Sequence, residues 1–472
     1  MKRFYLFCTV CAVFWMTTER ANSQHVAYKL RQPDLVPAAP RPDDDSYTRK
    51  DAEASPSDQP LHHEPAMLGD MCSTNSDMTE EPACGCEPSF GCDNGCCDSC
   101  GGGWGNCLGD CCLGDAWTLS SCLTPNCCDG PEYGGWISAG YYNKNERLSI
   151  ADGDELSFND FPDHLNLDQA WIWVGREAAT DSCCADYGYR FDMMYGAQAH
   201  AAQSFGNDGG TFDKSWDHGI YGWAIPQLYG EVGWNDWNVK VGHFFTPAGY
   251  EVINAPGNFF YSHSLTHYNT EPFMHTGVLG TNTASDTVTW YTGWTLGWDT
   301  GFDQFGGGSN FLGGVGYAPS DDLSLTYILT AGNLGWKSNS TDGYHHSIVG
   351  VATLSSNWKY VLSSDYLSTD DNSAGDGIHQ DDKSVVNYLF YTINDCWSLG
   401  SRVEWWKSNN VVVGDNISFY DVTAGVNYRP HANFVLRPEI RYDWTPAADT
   451  VNDALGTNYN QWWFGVDGVL TF

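Results

Sequence analysis

Residues 461–472 read QWWFGVDGVLTF. Trp462, Phe464, Val466, Leu470 and Phe472 occupy alternate positions, with Gln461, Asp467 and Thr471 on the other side. A repeat of two puts successive side chains on opposite faces of an extended chain, so this is a β-strand with one apolar and one partly polar face. A helix repeats every 3.6 residues and does not produce this spacing. The apolar face needs a partner surface, which the rest of the chain must supply.

The same alternation recurs upstream between Gly, Asn and Asp turns. Candidate strands cover 136–147, 166–177, 187–199, 227–234, 237–245, 273–281, 287–300, 310–318, 323–331, 346–354, 358–367, 384–393, 397–407, 418–429, 433–444 and 461–472. About sixteen strands make the chain all-β. Links such as APSDD, SSN, INDC and RPHA are short, whereas 368–383 and 446–458 are long. Short turns at one end and long loops at the other are the pattern of a transmembrane antiparallel β-barrel, and closure removes the unpaired edge that lipid does not tolerate.

Charge along the strands is sorted by face. In 433–444, Phe434, Leu436, Ile440, Tyr442 and Trp444 oppose Arg437, Glu439, Arg441 and Asp443. Arg402 and Glu404 oppose Leu399, Val403 and Trp405; Arg190 and Asp192 oppose Phe191, Met193 and Tyr195; Lys240 lies between Val239 and Val241. Arg or Lys facing lipid at mid-bilayer costs about 2–4 kcal/mol. These charged residues, together with Asp467, are therefore expected to line a lumen, which in a barrel of this size is too wide for side chains to fill. In a water-soluble sandwich the same face would simply be wet.

Residues 246–272, TPAGYEVINAPGNFFYSHSLTHYNTEP, form the longest stretch without alternation. A loop of that length requires a purpose. Folded into the barrel, it would narrow the passage with Glu251, Asn254, Tyr261 and His263 as constriction candidates; the alternative is a loop packed on the rim. His263, His267 and His275 lie close in sequence, but no strand or helix spacing gathers them, so no metal site is expected.

The other end of the chain reads differently. Lys2 and Arg3 precede an apolar run from Phe4 to Met16 and a small-residue site at Ala21–Ser23, the form of a secretory signal peptide over 1–23. Residues 24–71, rich in Pro, Asp, Ala and Ser, have the composition of a disordered linker. An irregular segment, 72–130, then holds thirteen cysteines: Cys72, Cys84, Cys86, Cys92, Cys96, Cys97, Cys100, Cys107, Cys111, Cys112, Cys122, Cys127 and Cys128. In an exported chain they are disulfide candidates, as are Cys183 and Cys184. Thirteen is odd, so one partner must come from Cys183, Cys184, Cys396 or another protein. Thiolate metal binding and a stapled spacer are the competing readings.

The formal charge is −37, and removal of 1–23, which carries +2, leaves −39. Only 14 basic residues follow position 135, so a nucleic-acid partner is excluded for want of clustered Lys and Arg. No GxSxG, HExxH or phosphate-loop motif occurs, and neither enzymatic activity nor a cofactor is expected.

Three stretches carry a family resemblance: ADYGYRFDMMYGAQ at 185–198, LYGEVGWNDWNVKVGHFFTPAGYEVINAPGNFFYSHS at 228–264, and EPFMHTGVLGT at 271–281. With the adjacent Cys183 and Cys184, they resemble the OmpL-like β-barrel porin family over roughly 135–472, so the barrel domain is set at 131–472. The resemblance implies an outer-membrane porin, a water-filled channel for passive diffusion of small hydrophilic solutes or ions, and by analogy with large porins a homotrimer. Its terminal aromatic residue likewise resembles the closing strand of such barrels. The alternative function is structural: a barrel anchor whose cysteine-rich arm is cross-linked by disulfides to neighbouring envelope proteins.

Overall fold

The computed structural model describes residues 113–114, 116–119, 131–144, 156–181, 183–204, 212–283, 285–304, 307–335, 341–371, 379–409, 416–455 and 458–472. The expected signal peptide, the expected linker and all thirteen cysteines of 72–128 lie outside the described residues.

Seventeen strands form one antiparallel sheet. They are β1 (Glu132–Asn143), β2 (Leu165–Arg176), β3 (Asp186–Gly196), β4 (Asp217–His218), β5 (Tyr221–Trp234), β6 (Trp237–Phe245), β7 (Met274–Asn282), β8 (Val288–Trp298) and β9 (Ser309–Ser320). There follow β10 (Leu323–Asn333), β11 (Thr341–Thr353), β12 (Trp358–Asp371), β13 (Gln380–Asn394), β14 (Trp397–Ser408), β15 (Ile417–His431), β16 (Phe434–Trp444) and β17 (Gln461–Thr471). The two-residue β4 only flanks β5; the other sixteen close a barrel through β1 and β17, in register from Trp136↔Thr471 to Asn143↔Phe464. Phe472 extends that seam by exchanging both backbone hydrogen bonds with Gly135 at 2.9 Å.

All sixteen expected strands are present, and the differences lie at their ends. β1 begins at Glu132, earlier than alternation indicated, because Gly134 and Gly135 belong to the strand. A side chain at Gly134 would meet the Trp173 ring at 2.7 Å and would have to displace it. β11, β12 and β13 run several residues further into polar sequence, TDGYH, STDD and QDDK, than a lipid-facing pattern reveals. Those extensions stand beyond the apolar zone, where both faces can be polar.

On the outer face, Leu399, Val403, Val422 and Ile440 are exposed and uncharged. They lie between stacked aromatic pairs, Trp397 with Tyr428 at 4.3 Å on one side and Tyr420 with Trp444 at 5.1 Å on the other. From Trp397 to Trp405 along β14 is about 26 Å of strand at ~3.3 Å per residue, or roughly 20 Å of height at a tilt of about 40°, close to the apolar band of an outer-membrane barrel. Aromatic rings at its edges suit the boundary between lipid and water.

The two ends differ. Asn235–Asp236, Asp321–Asp322, Asp395–Cys396 and Ala432–Asn433 are two-residue turns at the end that holds Glu132 and Phe472. Asn235 and Asp236 have φ of 45° and 66°, the left-handed pair of a tight hairpin turn. The opposite end carries the wide connections, including α1 (Ala199–Ala202), α2 (Leu265–Asn269) and α3 (Ala448–Leu455). By the usual asymmetry of such barrels, the tight-turn end faces the periplasm.

Candidate functional site

The segment between β6 and β7 enters from the loop end and folds into the barrel rather than over its rim. Its path is fixed mainly through its backbone. Glu439 accepts the Tyr261 and Ser262 N–H groups at 2.9 and 3.0 Å. Glu404 accepts those of Leu265 and Thr266 at 2.8 and 2.7 Å, at the start of α2. Asp299 accepts those of Phe273 and Met274 at 2.7 and 2.8 Å where the segment leaves. Each carboxylate thus holds two successive amides.

Arginines hold the carbonyls. Arg402 donates to Ser262 O at 2.9 Å, Arg437 to Ala255 O and Asn258 O at 2.8 and 2.7 Å, and Arg441 to His263 O at 2.6 Å. These guanidiniums are themselves paired, Arg402 with Asp421 and Glu251, Arg437 with Asp467, and Arg441 with Asp443. From β2, Gln169 donates to Ile253 O at 2.6 Å and accepts the Ala255 N–H at 3.0 Å. Bonds to charged groups contribute about 1.5–3 kcal/mol each, so the segment is a built part of the interior.

Packing follows the same plan. Phe259, Phe260 and Tyr261 lie against Gly400, Gly425 and Gly465, all on the inward face, and Gly140 faces Tyr261 from β1. A side chain at Gly140 would meet the Tyr261 ring at 2.7 Å, and one at Gly400 would enter the Phe259 ring. Phe259 and Phe260 also join Val361, Val386, Tyr388 and Phe390 in an apolar cluster inside the barrel.

The charged residues expected to line the lumen do point inward, but the structure changes what most of them do. Arg402, Glu404, Arg437, Glu439, Arg441, Asp443 and Asp467 are no more than 4% exposed and fasten the segment or one another. Arg190 pairs with Asp192 and lies 3.9 Å from the Trp173 ring, and Asp192 accepts the Trp171 indole N–H at 2.9 Å. Lys240 is half-buried over the Tyr229 ring. Opposite signs two positions apart on one strand face satisfy each other when a covering element excludes water.

Of the constriction candidates, Glu251, Tyr261 and His263 are buried, while Asn254 is on the partly exposed side with Val252 and Pro256. Glu251 accepts from Tyr388 and Arg402 at 2.9 and 3.0 Å. Burial pushes its carboxyl upward, but Arg402 and His263 outweigh that and hold it well below the usual range. Burial pushes the His263 imidazole down, with Glu251 opposing. His263 stacks on His267 at 4.8 Å, whereas His275 turns to Thr246.

Phe259, Phe260, Gln169 and Asp299 escaped the sequence reading. The available signal was the inward position of Gly140, Gly400, Gly425 and Gly465, which leaves room for an occupant. Cys183 and Cys184, expected among the disulfides, are exposed in the link between β2 and β3. Cys396, buried in the β13–β14 turn, is disulfide-bonded.

A family model described as "Putative beta-barrel porin-2, OmpL-like" matches residues 131–472. No curated protein sequence matches. Among solved structures, the outer membrane channel DcaP of Acinetobacter baumannii superposes with a TM-score of 0.52 at 10% identity, covering 73% of this chain and 99% of that one. The anion-selective porin from Comamonas acidovorans gives 0.48 at 10% identity, with 73% and 99% covered. OmpT of Vibrio cholerae, in trimer form, gives 0.46 at 12% identity with the same coverage.

Proposed function

This chain belongs to the OmpL-like β-barrel porin family of the outer membrane, and from that premise we propose that it is a channel for passive diffusion of small hydrophilic solutes or ions, constricted by the segment 246–272. The observation that carries this reading is the fastening of that segment inside the barrel by Glu404, Glu439, Arg402, Arg437 and Arg441. Buried ionic bonds that hold a backbone at fixed depth set the width of a passage. The side of the segment left uncovered, Val252, Asn254 and Pro256, is uncharged. Planar-bilayer recording tests the proposal: stepwise conductance is expected from the folded protein, with larger steps when 250–258 is replaced by a short Gly-Ser linker. Folded protein without conductance would sink it.

A second reading is favoured by the residues before the barrel. Ala432 donates to Leu113 O at 3.0 Å, and the Asn433 side chain accepts the Trp117 N–H at 3.0 Å and donates to Trp117 O at 2.8 Å. Leu113 and Trp117 therefore join the barrel at the tight-turn end, where disulfide-bonded Cys396 also lies. We infer that one cysteine of the segment 72–130 closes onto Cys396 and that the arm is presented to periplasmic envelope proteins for cross-linking. Gels of native envelopes with and without reductant test this; absence of any high-mass, thiol-sensitive species removes the cross-linking role.

A further inference from the structure

On the outer wall, His346, Tyr366, Lys383 and Lys407 are direct cross-strand neighbours on β11, β12, β13 and β14. We propose that this ladder binds the phosphorylated headgroup of an outer-leaflet glycolipid, with the Lys383 and Lys407 ammonium groups as its ligands.

Height is the first support. Lys407 lies two residues beyond Trp405 on the same outward face, toward the loop end, and Lys383 two residues beyond outward Val385. Both therefore stand at the upper edge of the aromatic belt, where headgroups begin. The loop end is the outer side, because the tight turns occupy the periplasmic end.

Charge is the second. Like charges directly opposite on adjacent strands destabilise a sheet, yet Lys383 and Lys407 face each other in a chain with 22 basic and 59 acidic residues. Lys383 is 3.2 Å from Asp381 and 5.3 Å from the Tyr366 ring centre. Among the described residues, no carboxylate lies within ion-pair distance of Lys407. An anion between the two ammonium groups turns repulsion into attraction, and a phosphate monoester offers the charge and acceptors for both.

The neighbouring side chains are prearranged. The Tyr327 hydroxyl is 2.7 Å from His346 Nδ1, His346 stacks on Tyr366 with ring planes 10° apart, and Tyr344 meets both rings edge-on. This aromatic block gives a rigid platform beside the two lysines. Lysines that merely snorkel to the interface would show no preference for a phosphorylated headgroup.

The test uses the full chain in a zwitterionic detergent, with native mass spectrometry reading bound lipid. Probes are diphosphorylated lipid A, its dephosphorylated form, phosphatidylglycerol and inorganic phosphate. Diphosphorylated lipid A is expected to bind best, and Lys383→Gln with Lys407→Gln to weaken it by about thirtyfold, at roughly 1 kcal/mol per lysine. The paired Lys→Arg variant should retain binding. Heat-modifiable gel migration verifies folding of each variant. Equal binding by wild type and the double Gln variant overturns the proposal, as does equal binding of the dephosphorylated lipid. Phosphatidylglycerol binding as tightly overturns the outer-leaflet assignment, and inorganic phosphate competing at equal concentration overturns the lipid as ligand. None of these outcomes bears on conductance.

Discussion

The Arg402 guanidinium on β14 donates to the Glu251 carboxylate of the inserted segment at 3.0 Å, and neither side chain is more than 6% exposed. Removing one partner strands the other charge in a dry site, which costs about 3–5 kcal/mol. Arg402→Met should therefore lower stability by that order. Adding Glu251→Gln should recover part of the loss, although in both variants Asp421 keeps only Arg441, at 3.6 Å, as its cationic partner. Denaturant unfolding in bilayers or detergent reads the difference, and equal midpoints for wild type and Arg402→Met would remove the ionic fastening from the account.

Gly400→Ala should push the Phe259 ring out of its seat. Overpacking of this kind costs about 1–3 kcal/mol. Phe259→Leu in the same chain should relieve it, while Gly425→Ala, whose added carbon would lie 3.1 Å from Phe260, should cost less. The ordering of unfolding midpoints checks the arrangement.

Acid should loosen the segment. The imidazole of His263 is held below its ordinary value by burial, whereas in the unfolded chain it titrates near about 6.5. Between those two values the unfolded chain binds more protons, so the stability contribution is complete above about pH 6.5 and is lost as pH falls below it, by up to about 1.4 kcal/mol per unit. Glu251, also held low, begins to lose its contribution as pH falls into the usual carboxylate range and goes on losing it below. Stability measured from pH 7.5 down to 5 should decline, and His263→Gln should flatten the profile.

The outer face gives a further prediction. Val403 is 47% exposed between the aromatic belts, and Val403→Arg should cost about 2–4 kcal/mol on folding into a bilayer. Arg at Ser418, beside the upper belt, should cost at most about 1 kcal/mol. Equal penalties at the two sites would contradict the placement of the membrane.

Strand 434–444 shows how far the sequence carried. Its alternation assigned Ile440 outward and Arg437, Glu439, Arg441 and Asp443 inward, and the structure places each there. The inward charges became fasteners rather than channel lining because 246–272 covers them, and the contacts between Glu439 and Tyr261 span residues far apart in the chain. Asn254 was the one constriction candidate on the uncovered side, since residue type does not reveal which side of an irregular segment faces a wall.

Residues 461–472 mark the same division. Period two by itself determined that the stretch is a strand, that Trp462, Phe464 and Leu470 share one face, and that Asp467 lies on the other, because the pleat reverses direction at every residue. Only the tertiary structure decided that β17 meets β1, and that Asp467 is consumed by Arg437 and Ser138 instead of meeting solute. Pairing across a closed sheet, and the filling of its interior, depend on contacts between distant residues, which no local period encodes.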